Sequence, residues 1–306
     1  YEETQQRKEG LSVPVDGGTL SGKVIDLQQR FNLNNLLILG EDNDRVKSDE
    51  DIAIFKRYIQ FLNENPPKPE QEKPKKTEGE GESDAEFNPL PPIPQAGAEE
   101  EPVEIPENIV FKILDWIDTD IDPYMGEDGD GAEDGVYTLL DNPYVTPNNL
   151  MASVSELLLI DGIYTEEEKA AIYLQLEPYV AVLPGRTKIN VNVAPPHLIA
   201  ALAEGCSFSD AESLVSDMQN EPFKKPAEFL TKYMALLPES KNKNKDNEDK
   251  LDKIEEAIKK RITTSTSFFL LEVSAEIYSG KSRLTSLVHR SEKAELTVMI
   301  RGQGTI

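Results

Sequence analysis

Between Glu64 and Pro106 the chain loses the means to build a core. Pro66-Pro67, Pro69, Pro74, Gly79, Gly81, Pro89, Pro91-Pro92 and Pro94 are set among Glu and Lys. A stretch of this kind cannot bury enough apolar area to offset the entropy of ordering it. It reads as an extended, largely disordered Pro/Glu-rich insertion, so the packed protein must be assembled from the sequence on either side. The whole chain shares the bias, with 38% hydrophobic and 29% charged residues over 306 positions, which suggests two domains with part of the chain unpacked.

The two flanks differ in period. Residues 1–10 are polar and read as the end of a helix that begins upstream. Gly17-Gly18 and Gly22 then mark a turn, and the imperfect alternation over Lys23–Asn35 predicts one or two short strands. Ile52, Phe55, Ile59 and Leu62 share a face of a helix over about Asp49–Asn63. Beyond the insertion, Val110, Ile113, Leu114 and Ile117 predict a helix from Glu107 to Trp116. Further helices are expected at Ser153–Ile160, Thr165–Leu176, Pro195–Ala203, Ser209–Met218, Pro226–Leu236 and Leu251–Ile262. Thr165 and Glu168 have capping-box spacing, Ile189–Val193 reads as a short extended piece, and Lys241–Lys250 as a solvated loop.

The last forty or so residues switch to period two. Phe269, Leu271, Val273, Ala275 and Ile277 alternate with more polar neighbours, and Ser282–Arg290 and Glu295–Arg301 continue as strands of an antiparallel meander. Strands, then helices, then strands is the order of an α+β chain interrupted by a helical insertion.

Charge and composition exclude several functions. Fifty-seven acids against 32 bases give a net charge of −25, which repels phosphate backbones. Cys206 is the only cysteine, so no intramolecular disulfide forms. No run reaches the roughly 18 apolar residues of a membrane span. Neither a phosphate-binding glycine loop nor an HExxH or GxSxG motif occurs, and His197 and His289 lie far apart in sequence. His197, at a helix start, and His289, in a strand, read as packed or surface residues, so no catalytic residue is assigned. The one alternative is a helix-hairpin-helix nucleic-acid module, entered at Ile189–Ala194 and again at Phe223–Tyr233. Glu204-Gly205-Cys206-Ser207-Phe208 stands where small residues should open backbone amides to phosphate, so the scaffold suits protein contact better.

The densest chemistry is the acidic loop, from Asp115-Trp116-Ile117-Asp118-Thr119-Asp120-Ile121-Asp122 into Gly126–Asp134. Crowded carboxylates repel unless water or a hard cation intervenes, and Ca²⁺ accepts about six to eight oxygens in tolerant geometry. The loop is not an EF-hand. Asp118, Asp120 and Asp122 match its first three ligand positions, but Pro123 replaces the required glycine and Gly129 stands where a bidentate glutamate belongs. A looser cage fits, with Asp118 and Asp120 on one arm and Glu133 and Asp134 on the other, and with Asp122 and Asp130 as weaker candidates. Hard oxygen donors favour one or two structural Ca²⁺ ions over Zn²⁺.

Six ordered stretches resemble the minor pseudopilin K family of bacterial type II secretion (general secretion pathway protein K). They are Asp26–Leu36, Asp115–Asp120 with Gly131–Asp134 and Tyr137, Asn142-Pro143-Tyr144 with Ala152–Leu157, Pro178–Val180, Ile189–Ala194, and the strands from Phe268 to Arg290 with Arg301-Gly302. The resemblance implies a discontinuous pilin-like α/β domain with an antiparallel sheet, formed by residues 1–40 and 263–306. A large inserted helical domain, 41–262, would interrupt it and carry the 64–106 insertion. It further implies calcium in the acidic loop and a membrane-anchoring N-terminal helix upstream of Tyr1, in the inner membrane of a Gram-negative bacterium. The domain itself would be periplasmic, capping the pseudopilus tip with minor pseudopilins I and J beside other pseudopilus subunits. The expected work is done by shape and surface, without catalysis.

Overall fold

The structure, a computed structural model, describes residues 11–40, 45–66, 103–126, 129–163, 169–241, 244–278 and 280–303. The polar segment 1–10, residues 67–102 of the expected insertion and the Thr165/Glu168 capping box lie outside the described residues.

The chain begins with strands β1 (Leu11–Val15) and β2 (Gly18–Asp26), then short strands β3 (Phe31–Asn32), β4 (Leu37–Leu39) and β5 (Arg45–Lys47). Helices α1 (Asp49–Glu64) and α2 (Ile109–Ile117) precede the pair β6 (Met125–Gly126) and β7 (Gly129–Asp130) and the short α3 (Asp134–Tyr137). Next come α4 (Lys169–Leu176), β8 (Val180–Ala181) and β9 (Ile189–Asn190), then α5 (Pro196–Ala201), α6 (Phe208–Asn220), α7 (Pro226–Met234) and α8 (Lys245–Arg261). Strands β10 (Ile262–Thr263), β11 (Phe268–Ile277), β12 (Gly280–Arg290) and β13 (Leu296–Gln303) close it.

The fold is α+β. One antiparallel sheet has the order β1-β2-β11-β12-β13, so the first and last parts of the chain meet at its centre. Leu270 lies opposite Ile25 on one side and Leu287 on the other. Leu27, Ala181, Leu183 and Leu287 form a small core under this end of the sheet, with Ile25, Phe268 and Leu270 against it. The C-terminal alternation thus produces the expected meander.

Of the one or two short strands expected over Lys23–Asn35, β2 ends at Asp26 and β3 holds only Phe31–Asn32. The chain turns there because short polar side chains capture the backbone two residues on: Gln28 N donates to Asp26 Oδ1 at 2.9 Å, and Asn34 N to Asn32 Oδ1 at 3.2 Å. Phe31, Leu33, Leu36 and Leu37 then enter the larger, helical core. Asn34 is buried and fully used, its amide donating to Met151 O and Leu183 O while its oxygen accepts from Met151 N, all at 3.0–3.1 Å. Asn35 clasps Thr187 through both backbone groups. These asparagines organise turns, as their residue type suggests.

Helix α1 buries Ile54, Phe55, Tyr58, Ile59 and Leu62, while Ile52 sits at the edge of the face. Phe55 stacks on Phe31 with ring centroids 4.9 Å apart. Each such side chain contributes about 1.5–3 kcal/mol by leaving water. At the N-terminal end of α1, buried Asp51 accepts from Arg186 Nη2 at 2.7 Å and from Arg261 Nε and Nη2 at 2.9 and 3.0 Å, with the Ser48 hydroxyl donating to it as well. One carboxylate thus joins α1, the loop before β9 and the end of α8.

At the far end of α1, Asn63 closes the base of the 64–106 segment. Its Nδ2 donates to Ile105 O and its Oδ1 accepts from Ile105 N, both at 2.9 Å. Asn63→Ala is expected to cost about 1–3 kcal/mol, because two backbone groups of Ile105 lose their partners. An unchanged urea midpoint would mean that water replaces the clasp without loss.

Two helix expectations shift. Helix α8 starts at Lys245, inside the expected loop, because the Asn244 side chain caps it by accepting from Asn247 N at 2.8 Å. Asp246 and Glu248 in its first turn and Lys259, Lys260 and Arg261 in its last suit the helix dipole. The helix expected at Ser153–Ile160 is a 3₁₀ turn, Val154–Leu159, with a complete capping box between Ser153 and Glu156.

Candidate metal centre

Helix α2 is apolar enough to be buried nearly all round, and it carries Asp115 inside with it, only 2% exposed. Asp115 is retained because it accepts from Tyr124 N at 3.0 Å, which folds the acidic loop back over the helix end. Burial raises its carboxyl above the usual carboxylate range. Gly131 passes so close that an added Cβ would collide with Asp115 Oδ2. A glycine is therefore required for the second arm to approach the first. Tyr124 is held between the Phe111 ring, stacked at 3.9 Å, and Lys47 Nζ, 4.9 Å from its centroid.

Asp118 follows as the C-cap of α2, its N–H bonded to Leu114 O at 2.8 Å. Asp120 closes a turn by accepting from Asp122 N at 3.0 Å. From the opposite arm, at the start of α3, comes Glu133, 4% exposed, one oxygen accepting from the Thr146 hydroxyl at 3.0 Å. Carboxylate oxygens of Asp118, Asp120 and Glu133 all lie within 4.8 Å of one another. Asp118 Oδ1 and Glu133 Oε1 are shut off from solvent without a hydrogen-bond partner.

Burial pushes the Asp118 carboxyl up to about 7, and the charges of Asp120 and Asp115 push in the same direction. Burial likewise lifts Glu133 to about 7, aided by Asp115 and Asp118 and opposed by Thr146. Such groups are costly as bare anions. A divalent cation would satisfy the orphaned oxygens and cancel the repulsion, and an all-oxygen donor set suits a hard ion such as Ca²⁺.

Of the six candidate ligands, Asp118, Asp120 and Glu133 are brought together. Asp122 lines the same cleft, about 220 Å³ in volume, beside Arg45 and Lys47. Asp130 is exposed on β7. Asp134 turns to the next segment, its Oδ1 accepting from Thr146 N and Oγ1 at 2.8 Å. Sequence reasoning missed Asp115, although its i, i+3 spacing to Asp118 places both on one helix face. It also missed Thr146, whose part depends on tertiary contact alone.

The remaining reactive side chains have structural surroundings. His197 is buried, with Nε2 2.7 Å from Asn65 O and the ring against Phe208 and Tyr179; burial lowers its pKa. His289 packs on Phe268, and Cys206 is buried with its thiol pKa raised by that burial. At the hairpin before α6, Gly205 has φ +86° and is backed by Pro238, between exposed Glu204 and buried Cys206.

Comparison with known proteins places this architecture. Two family models, each described as type II secretion system (T2SS), protein K, match residues 99–185 and 189–252. Type II secretion system protein K of Pectobacterium carotovorum subsp. carotovorum is 29% identical over 240 residues, 76% of this chain and 58% of that protein. The protein K of Aeromonas hydrophila is 26% identical over 303 residues, 95% of this chain and 72% of that protein, and the one of Pseudomonas aeruginosa 27% over 291 residues, 94% and 66%. The chain thus spans about three fifths to three quarters of the length of these relatives. Among solved structures, a chain of the GspK-GspI-GspJ complex from enterotoxigenic Escherichia coli superposes with a TM-score of 0.62 at 17% identity, over 97% of this chain and 84% of that one. That likeness establishes the fold, and with the matching motifs and relatives it leads to one assignment: the chain belongs to the type II secretion system protein K family.

Proposed function

We propose that the chain is the periplasmic part of a minor pseudopilin that caps the tip of a type II secretion pseudopilus, together with its I and J counterparts. The observation that carries this reading is the superposition on a chain of a GspK-GspI-GspJ complex over nearly the whole length of this one. In this reading residues 1–40 and 263–306 form the pilin-like domain and 41–262 the inserted helical domain, a division supported by the sheet assembled from 11–26 and 268–303. The helical lobe caps by its bulk and catalyses nothing. Among the described residues no helix is long and apolar enough to cross a membrane.

Calcium fits this reading as a structural ion held by Asp118, Asp120 and Glu133, with Asp122 lining the same cleft. Its chemistry there is to neutralise charge. The residues of the chain supply the rest: Asp115 folds the loop onto α2, Gly131 permits the approach of the second arm, and Thr146 orients Glu133. The test is assembly. The purified chain is expected to co-elute with its I and J counterparts in size-exclusion chromatography at micromolar concentration, and separate elution of all three would overturn the assignment.

A further inference from the structure

Between Tyr144 and Leu150 the chain crosses over the acidic loop and touches both of its arms. Thr146 bonds Glu133 and Asp134 on one side. Two residues on, Asn148 Nδ2 donates to the backbone oxygen of Asp120 at 3.1 Å on the other. Because that partner is a carbonyl, the nitrogen of the Asn148 amide must face it, which fixes the orientation of the group. The amide oxygen, Oδ1, is left out of contact with solvent and without a hydrogen-bond partner. Asp118 Oδ1 and Glu133 Oε1 are orphaned in the same way, so three buried acceptors on the segments these hydrogen bonds join lack a donor. Glu133 is 4% exposed and its oxygen belongs to the carboxylate cluster. Oxygens that no N–H or O–H satisfies are the donor set of a hard cation. Asn148 also holds φ at +45°, in the left-handed region that asparagine tolerates better than most residues. The backbone alone would accept glycine there equally well.

We infer that Asn148 is a neutral oxygen ligand of the cation held by Asp118, Asp120 and Glu133, donated from the crossing segment 146–148. The inference rests on the calcium reading above and assigns the cage a third arm. It also accounts for how two negatively charged arms are bridged without adding a further carboxylate.

Calorimetric titration of CaCl₂ into the calcium-stripped chain, its Asn148→Gly variant and its Asn148→Asp variant tests it. Glycine keeps the left-handed turn but removes the side chain and its hydrogen bond to Asp120 O, so the apo melting temperature should fall by a few degrees at most while calcium affinity falls about ten-fold or more. Aspartate keeps the oxygen and adds charge, so it should bind calcium at least as tightly as the parent, with a lower apo melting temperature. Parent-like affinity in Asn148→Gly, or weakened binding in Asn148→Asp, would overturn the ligand role while leaving the calcium site intact. Absence of calcium binding by the parent chain would overturn both readings. Should the glycine variant fail to fold, Asn148→Asp titrated in about 0.5 M NaCl decides: a direct ligand still tightens calcium when long-range attraction is screened, whereas parent-like affinity there would overturn the ligand role.

Discussion

Saturating calcium is expected to raise the melting temperature of this chain by about 5–10 °C over the calcium-stripped protein. At a hundred-fold excess over Kd, binding to the folded state alone contributes about 2.7 kcal/mol, and a domain of this size shifts by about 2–4 °C per kcal/mol. Asp118→Asn separates the two halves of the mechanism because they respond with opposite sign. Without calcium the variant should melt above the parent, since one of three mutually repelling carboxylates is gone. With calcium it should gain little, since a charged ligand is gone too. A variant that melts below the parent in both conditions would show that Asp118 stabilises the loop by itself.

The pH dependence follows from the same groups. In the calcium-stripped fold Asp118 and Glu133 keep their protons up to about pH 7, whereas their ordinary values are 3.8 and 4.5. Over that window the folded chain binds more protons than the unfolded one, so the contribution of these groups to stability falls as pH rises and levels off above about 7. With calcium bound the carboxylates are ionised in the fold, and the sign reverses: stabilisation by calcium grows from about pH 5 to about pH 8. Melting curves of stripped and calcium-loaded protein at the two pH values check this, and parallel pH slopes would sink it.

Asp51→Ala is expected to lower stability by about 3–5 kcal/mol, because it leaves Arg186 and the largely buried Arg261 without their shared carboxylate. Denaturant midpoints read this loss. A loss below about 1 kcal/mol would mean that solvent takes over both guanidinium groups. Asp51→Asn should recover part of the loss, since the amide oxygen still accepts one hydrogen bond.

Where side-chain spacing alone decides the outcome, the sequence was readable. The face of α1 was visible in Phe55, Ile59 and Leu62, and the terminal meander in the alternation from Phe269 to Ile277. The two arms of the carboxylate cluster were visible as acidic residues on either side of a glycine-rich turn. The start of α8 was hidden because Lys245–Lys250 is polar throughout; only the Asn244 cap and the acidic first turn announced it. The strands within Lys23–Asn35 are shorter than the alternation suggests because Gln28 and the asparagines read as alternating polar positions, whereas Asp26 and Asn32 bend the backbone through their own side chains. Thr146 and Asn148 acquire their parts only when residues far apart in sequence are folded together, and of the missed residues only Asp115 left a trace in periodicity, its i, i+3 spacing to Asp118.

The hydrogen-bonded seam between β2 and β11 has a mechanical consequence. The chain leaves the sheet at Asp26 and returns at Phe268, and Asp26 lies opposite Phe269 across the seam, so exit and re-entry are neighbours. Tension along the sheet is carried by that ladder as by a shunt and bypasses everything strung between the two points. The lobe can loosen, tighten or change in length through evolution while the spacing of the strands stays fixed.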